Sequence, residues 1–242
     1  MKTAIVIPTY NEAENIEKLL LEILELNLPL EIIVVDDNSP DGTGEIVRKL
    51  ADEKGNIHLL SRCGKRREGR ARIDGYIYAL EERAEVIIEM DADFSHKTEY
   101  IPVFLSKIQN NDIIIGSRCI SGGVETGRSM GRIFLSKLAN LYIRRVYGIK
   151  NIFDCTSGYR CFKKEVFDKI KIEKLKAAGP AVIPEILFRA KNMDLKIGEF
   201  PIIYENRKKG SSKFTLKKIA ESLVLPLFLR LEDYVETFTQ IA

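Results

Sequence analysis

The sequence predicts an α/β fold in which a mainly parallel central sheet is flanked by helices on both faces. Three observations lead there. Apolar runs of strand length recur at 3–7, 31–35, 57–60, 86–90 and 113–115, and segments of helical periodicity separate most of them. Runs such as Val86-Ile87-Ile88 read as buried strands. Acidic and turn-forming residues gather just past several runs, at the strand ends where open α/β sheets bind ligands.

The strand at 3–7 is stopped by Pro8, and Asn11 resembles an N-cap for a helix from about 12 to 26. That helix places Ile16, Leu19, Leu20, Ile23 and Leu24 on one face. The strand at 31–35 ends in the turn-rich run from Asp36 to Thr43, and a helix over 44–52 follows. A short strand at 57–60, a helix at 73–82, a strand at 86–90, a helix at 101–108 and a strand at 113–115 continue the alternation. After Ser117 the rhythm changes. Gly122, Gly123 and Gly127 mark a loop, 128–147 reads as a long basic helix, and 195–203 returns to strand character. A basic loop, NRKKGSSK, covers 206–213. The last segment sets Leu216, Ile219, Leu223, Leu227, Leu231 and Phe238 at helical spacing, and Pro226 is expected to kink it. The predicted organisation is one main domain over 1–213 with an amphipathic helical tail over 214–242.

Composition narrows the function classes. The 38 basic and 35 acidic residues nearly balance, so no basic excess of the kind that marks a general nucleic-acid binder is present. Cys63, Cys119, Cys155 and Cys161 form no CxxC pair, and His58 and His96 are the only histidines, which predicts free thiols in an intracellular protein without structural zinc. The first residues pass directly into a strand, without the pattern of a secretory signal. No stretch of about 18 uninterrupted apolar residues predicts a membrane-spanning helix, which leaves peripheral membrane contact open.

The chemistry is expected in EVIIEMDADFSH, residues 85–96. Its strand delivers Asp91 and Asp93, with small Ala92 between them, to the carboxyl edge of the sheet. Two such carboxylates can share a hard divalent cation that keeps open positions for phosphate oxygens. Read alone, Asp-Ala-Asp is equally a polar turn after a strand.

The order of blocks decides between these. IVIPTYNEAENI, IVVDDNSPDGT, EMDADFSH, IIIGSR, DCTSGYRCF and NRKKGSSKF resemble, in sequence, the inverting family 2 glycosyltransferases of GT-A fold. Within them the resemblance is to the dolichyl-phosphate and polyprenyl-phosphate sugar synthases, and it covers nearly the whole chain. It implies a nucleoside-diphosphate sugar donor, Mg²⁺ or Mn²⁺, and a lipid phosphate acceptor at the cytoplasmic face of a membrane. By motif it implies donor contacts from Pro8, Tyr10, Glu12, Asp37, Asp91, Ala92, Asp93 and Lys213, with the metal on Asp91 and Asp93. It assigns the acceptor phosphate to Arg118, Arg132, Ser136 and Arg207, and it counts Asp91, Asp93, Arg118 and Arg132 as catalytic. Ser212 and Lys213 match the loop that covers the donor diphosphate, and residues 156–160, TSGYR, the element beneath the sugar. Glu185 matches an acidic position that binds sugar hydroxyls or orients Arg189.

A phosphate acceptor suits the arginines. Its second pKa lies near ~6, so it arrives ionised at neutral pH and needs cations for positioning instead of a general base. Guanidinium forks match phosphate geometry. Arg128 lies off the family pattern. Two blocks depart from it: KRREGRARIDG stands where the family has a lysine and a Gly-Leu-Gly run, and GPAVIPE replaces an aromatic-containing stretch. Mannose from GDP-mannose is therefore the default by analogy, with UDP-hexoses as alternatives. A same-fold transferase acting on a hydroxyl, and a non-catalytic nucleotide-sugar-binding subunit, are the competing readings. The absence of GxGxxG after the first strand argues against a dinucleotide-dependent dehydrogenase.

Overall fold

The computed structural model describes residues 1–63, 68–206 and 216–241. The chain begins β1 (Thr3–Thr9), α1 (Ile16–Glu25), β2 (Leu30–Asp36), α2 (Thr43–Lys54), β3 (Ile57–Ser61), α3 (Glu68–Glu81) and β4 (Val86–Glu89). It continues through α4 (Ile101–Lys107), β5 (Ile113–Ser117), β6 (Val124–Thr126) and α5 (Met130–Tyr147). The last third holds β7 (Arg160–Lys163), α6 (Lys164–Ile170), α7 (Val182–Asn192), β8 (Ile197–Pro201), β9 (Ile203–Glu205) and α8 (Leu216–Ile241).

Seven strands form one sheet in the order β3-β2-β1-β4-β7-β5-β8, and β6 pairs with β9 in a separate ribbon. All pairings in the large sheet are parallel except those of β7, which runs antiparallel between β4 and β5. The predicted α/β class with a mainly parallel sheet is what the structure contains. Alternate residues of each strand feed two cores. Ala4, Val6, Ile33, Val35 and Ile87 meet α3, α5, α6 and α7 on one face, and Ile5, Ile7, Ile32, Val34 and Ile88 meet α1, α2 and α4 on the other. Burial on both faces explains why the strands read as continuous apolar runs.

The topology locates the site. The chain winds from β1 outward to β3, then crosses to lay β4 on the other side of β1, so the strand order reverses between β1 and β4. Past the carboxyl ends of those two strands lies the switch point at which open α/β sheets bind ligands in a crevice. The loops bearing Tyr10 and Asp91 border it.

Several boundaries differ from the sequence reading. Asn11 is not a helix cap: it adopts a left-handed backbone (φ 59°), and α1 begins at Ile16. Asn15 occupies the cap position but turns its side chain to Glu12 (2.7 Å). Helix α3 starts at Glu68, five residues earlier than its apolar periodicity suggested, because Arg72 is buried by ion pairing instead of by apolar contact. Helix α8 continues past Pro226, which lies inside it. It docks on the main body through acids: Glu221 accepts the backbone N–H groups of Ala178 and Gly179, Glu232 pairs with Lys176, and Asp233 accepts from Asn192. All four cysteines are free thiols, and no described helix is long and apolar enough to cross a membrane.

Close packing of α3 on the sheet depends on Gly75. A β-carbon there would lie 2.4 Å from Val6 Cγ1 and 2.9 Å from Val35 Cγ2, both fixed in the central strands. Gly75→Ala is expected to lower the stability to urea by about 1–3 kcal/mol, the usual range for overpacking. An unchanged unfolding midpoint would show that α3 is free to shift.

Candidate active site

The first two loops at the carboxyl edge are stapled to each other. Thr9 Oγ1 and Ser39 donate to Asp36, Asn11 N donates to Ser39 Oγ (2.9 Å), and Glu12 N donates to Thr43 Oγ1 (3.0 Å). Asp41 completes the staple by accepting from Ala13 N (3.0 Å) and from the hydroxyl and amide of Thr43. Burial alone would raise the Asp41 pKa, but these hydrogen bonds bring it below the ordinary carboxylate value. Pro8 lies in β1 opposite Val35, Tyr10 is half-buried at the loop's start, and Glu12 holds Asn15. Asp37 is nearly buried against Arg62, which also reaches Asp74 (2.7 Å). Arg62 was absent from the sequence expectation.

The acidic block is organised from below. Glu89, the last residue of β4, is buried, and Arg72 Nε and the Tyr76 hydroxyl both donate to its carboxylate. Arg72 then extends upward, donating Nη2 to Asp91 Oδ1 (3.0 Å) and Nη1 to Glu68 (3.2 Å). Burial would lower the Arg72 pKa, yet the surrounding carboxylates raise it well above the ordinary arginine value. Asp91 keeps a third of its side chain exposed, and its backbone N–H donates to His96 Nδ1 (2.9 Å). Burial holds the His96 pKa below the ordinary imidazole value, so the ring is neutral at pH 7 with its proton on Nε2, stacked 4.7 Å from the Tyr159 ring. Ala92 and Asp93 are buried, and Asp93 Oδ1 accepts from Ser95 N (3.1 Å) and Ser95 Oγ (2.5 Å). Phe94 adopts a left-handed backbone (φ 60°), an uncommon conformation for a bulky residue that turns the chain back after Asp93.

These donors suit a hard cation. Asp91 and Asp93 offer carboxylate oxygen, and no group of three or more acids, histidines or cysteines arranged for a metal occurs among the described residues. A two-carboxylate site fits Mg²⁺ or Mn²⁺, whose remaining positions go to phosphate oxygens and water.

Across the crevice stand the arginines. Arg118 is clamped, donating from Nε and Nη2 to both oxygens of Asp154 (2.8 and 2.7 Å) and to Thr156 Oγ1 (2.8 Å). Burial would raise the Asp154 pKa, but Arg118 holds it at about 2. Tyr204 in β9, also unforeseen, links the two sides: its ring lies 6.0 Å from that of His96, with the guanidinium groups of Arg118 and Arg128 at 5.3 and 5.7 Å. Burial and the charges of Asp91 and Asp93 raise its phenol pKa. Arg128 pairs with Glu125 (2.8 Å). Arg132, on the first turn of α5, is exposed and has no hydrogen-bond or ion-pair partner among the described residues; Ser136 lies one turn on. Arg207, Ser212 and Lys213 lie outside the described residues.

The TSGYR element has a structural role. Arg160 is buried and donates to the carbonyls of Ser157 (2.7 Å), Ile183 (2.8 Å) and Cys155 (2.9 Å). A β-carbon on Gly158 would sit 3.6 Å from Arg72 Nη2, so this loop lies against the Arg72 and Glu89 pair. Of the two roles open to Glu185, the structure contains the salt bridge to Arg189 (3.0 Å), and Glu185 also accepts the backbone N–H groups of Lys176 and Ala177.

Comparison with known proteins identifies the family. The family model for glycosyl transferase family 2 matches residues 4–171. A polyprenol monophosphomannose synthase of Mycolicibacterium smegmatis is 35% identical over 224 residues, 92% of this chain and 84% of its own. An undecaprenyl-phosphate mannosyltransferase of Micrococcus luteus is 34% identical, covering 93% of this chain and 92% of its own. Among solved structures, a glucosyl-3-phosphoglycerate synthase of Mycobacterium tuberculosis in complex with Mn²⁺, UDP and glucosyl-3-phosphoglycerate superposes with a TM-score of 0.67. It is 17% identical, with 95% of this chain and 79% of that one covered, which is a likeness of fold. With the matched family model spanning most of the sheet and both acids of the Asp-Ala-Asp block, the chain belongs to glycosyl transferase family 2 and is a glycosyltransferase.

Proposed function

We propose that the protein transfers a hexose, mannose from GDP-mannose by default, to a polyprenyl or dolichyl phosphate, with inversion and with Mg²⁺ or Mn²⁺ as cofactor. The observation that carries this reading is the juxtaposition around Tyr204 of an acidic pair suited to a diphosphate-bound cation and a set of arginines suited to a second phosphate. The kinship with mannosyltransferases named for polyprenyl acceptors supports it.

In this mechanism the crevice between β1 and β4 receives the nucleotide. Tyr10 and Pro8 flank the base, Asp37 accepts donor groups from base or ribose, and Arg62 keeps that carboxylate aimed. A divalent cation on Asp91 and Asp93 would offset the charge that builds on the leaving diphosphate. Arg72 fixes Asp91 from below, and Ser95 fixes Asp93. Arg118, immobilised by Asp154, and Arg132, which has no partner among the described residues, hold the ionised acceptor phosphate for attack on the face of the anomeric carbon opposite the diphosphate. No general base is required, because the nucleophile carries no proton to remove.

The acceptor is a lipid, and the surface beside the arginines is apolar. On α5, Met130 is 82% exposed and Phe134 66%, with Leu135, Leu138 and Leu141 also outward. On α8, Leu223, Val224, Leu227 and Leu231 are exposed while Leu225 and Leu229 pack inward. A contiguous apolar face of this kind marks an interaction surface. It supports peripheral contact with the cytoplasmic face of a membrane, through helices lying in the interface.

A panel of GDP- and UDP-sugars with Mg²⁺ or Mn²⁺ and a short polyprenyl phosphate is expected to yield one glycosyl lipid by mass. Turnover with a hydroxyl acceptor instead, or donor binding without any turnover, would overturn the proposal. Asp91→Ala and Asp93→Ala are each expected to lower kcat by roughly 100-fold or more, and undiminished rates would remove their role. Arg132→Ala is expected to raise the acceptor KM about tenfold while donor affinity stays constant; unchanged acceptor kinetics would refute its contact. Arg72→Met strands the Glu89 carboxylate and is expected to cost about 3–5 kcal/mol of unfolding free energy. Arg72→Met with Glu89→Gln should recover part of that loss, and strict additivity would mean the two side chains act independently.

A further inference from the structure

Next to the arginines, the segment after β5, helix α5 and Phe153 enclose an open cavity of about 330 Å³, within the roughly 300–1,000 Å³ typical of small-ligand sites. Arg118, Lys137 and Arg144 line it. Among the described residues only Arg118 of the three has carboxylate partners, Asp154 (2.7 Å) and Glu125 (3.6 Å). Lys137 makes no hydrogen bond or ion pair among the described residues. Arg144 donates Nη2 to the Lys150 carbonyl (2.9 Å) and lays its guanidinium 4.4 Å over the Phe153 ring, which leaves its Nε buried without an acceptor. The nearby carboxylate of Glu199 is already engaged by the backbone N–H groups of Phe153 (2.8 Å) and Asp154 (2.9 Å). Among the described residues the cavity thus holds positive charge without a matching carboxylate, which an anionic oxygen offsets.

Its other wall is apolar. Leu141 and Phe153 line the cavity, and each is about half exposed. On a helix, Lys137, Leu141 and Arg144 share one stripe, and Phe134, Leu138 and Leu141 share the neighbouring one. Leu141 belongs to both, so the cationic cavity opens onto the outward apolar face.

We propose that this cavity binds the phosphate headgroup of an anionic membrane phospholipid. Lys137 and Arg144 grip the phosphate, and the acyl chains lie along Leu141, Leu138 and Phe134. The site rests on the membrane contact proposed above; it adjoins the acceptor cradle of Arg118, Arg132 and Ser136 and shares Arg118 with it, while Lys137 and Arg144 belong to the cavity alone. The apolar wall favours a lipid over free phosphate, which has the same headgroup chemistry and no chain to bury.

The test compares the wild-type protein with Lys137→Gln, Arg144→Gln, Arg144→Lys and the control Arg145→Gln, which removes the same charge from an exposed position outside the cavity lining. Binding is measured to vesicles of phosphatidylcholine alone and of phosphatidylcholine with phosphatidylglycerol, and transfer is measured with acceptor in neutral detergent micelles. Lys137→Gln and Arg144→Gln are each expected to weaken binding to the anionic vesicles about fivefold. Arg144→Lys should fall between wild type and Arg144→Gln, and Arg145→Gln should have little effect. Binding to neutral vesicles and micellar kcat and KM should not change. Equal losses in all three glutamine variants would reduce the effect to diffuse surface charge and overturn the site, as would no loss in any. A raised acceptor KM in micelles would give the cavity to the acceptor. Displacement from anionic vesicles by inorganic phosphate, beyond that by chloride at matched ionic strength, would make the ligand a free phosphate. Lys137 is exposed, so its variant decides the matter even where Arg144→Gln is unstable. Vesicle binding with no sugar transfer would sink the proposed function and leave this site standing; transfer without vesicle binding would do the reverse.

Discussion

Glu89 ends β4 with its carboxylate inside the protein, and a buried carboxylate is tolerated only when paired and hydrogen-bonded. Arg72 and Tyr76, one turn apart on α3, meet that demand. The pairing fixes how α3 sits on the sheet, and the absence of a side chain at Gly75 lets the helix come close enough to make it. Arg72 uses its remaining donors on Asp91 and Glu68, so the carboxylate facing the crevice is oriented by the same group that neutralises the one beneath it. The TSGYR loop lies against this pair and is itself held by Arg160 through three backbone carbonyls. The geometry of the acidic block follows from charges buried below it.

Most acids around the crevice are occupied with the backbone. Asp36, Asp41, Asp93, Asp154, Glu185, Glu199 and Glu221 each accept at least one main-chain N–H. Loops at the end of a parallel sheet carry unpaired amides, and these carboxylates satisfy them without lengthening the loops. The left-handed residues Asn11, Asn38 and Phe94 fall in the loops after β1, β2 and β4, where such clamps oppose their backbone cost. A rigid rim results, with Asp91 presented at it.

The opposite rim has a different balance. Arg118 is neutralised by Asp154, whereas Arg132, Lys137 and Arg144 have no carboxylate partner among the described residues. They share α5 with its outward apolar residues, and α8 adds a second apolar stripe while Glu232, Asp233 and Glu221 are turned toward Lys176, Asn192 and the 178–179 backbone. Cations without a carboxylate partner among the described residues, beside exposed apolar side chains, suit a ligand that combines phosphate with hydrocarbon.

Local pattern determined the alternation of strands and helices, the parallel character of the sheet and the position of Asp91 and Asp93 past β4, because burial on two faces and turn chemistry leave their mark on neighbouring residues. The ordered motifs identified the family for the same reason. Pairing between distant segments left no such mark. β7 is four residues long and reads R-C-F-K, and only its place between β4 and β5 makes it a strand. Arg72 sat in a block that looked merely divergent, though Glu68 four residues before it was a signal for a helix turn. Arg62, Arg160 and Tyr204 gained their roles from partners far off in sequence. The sequence by itself thus determined the elements, the family and the acids at the crevice. Tertiary structure alone decided which charges are spent inside the protein and which remain for a ligand, because neutralisation depends on distances of a few ångströms between residues that the chain keeps far apart.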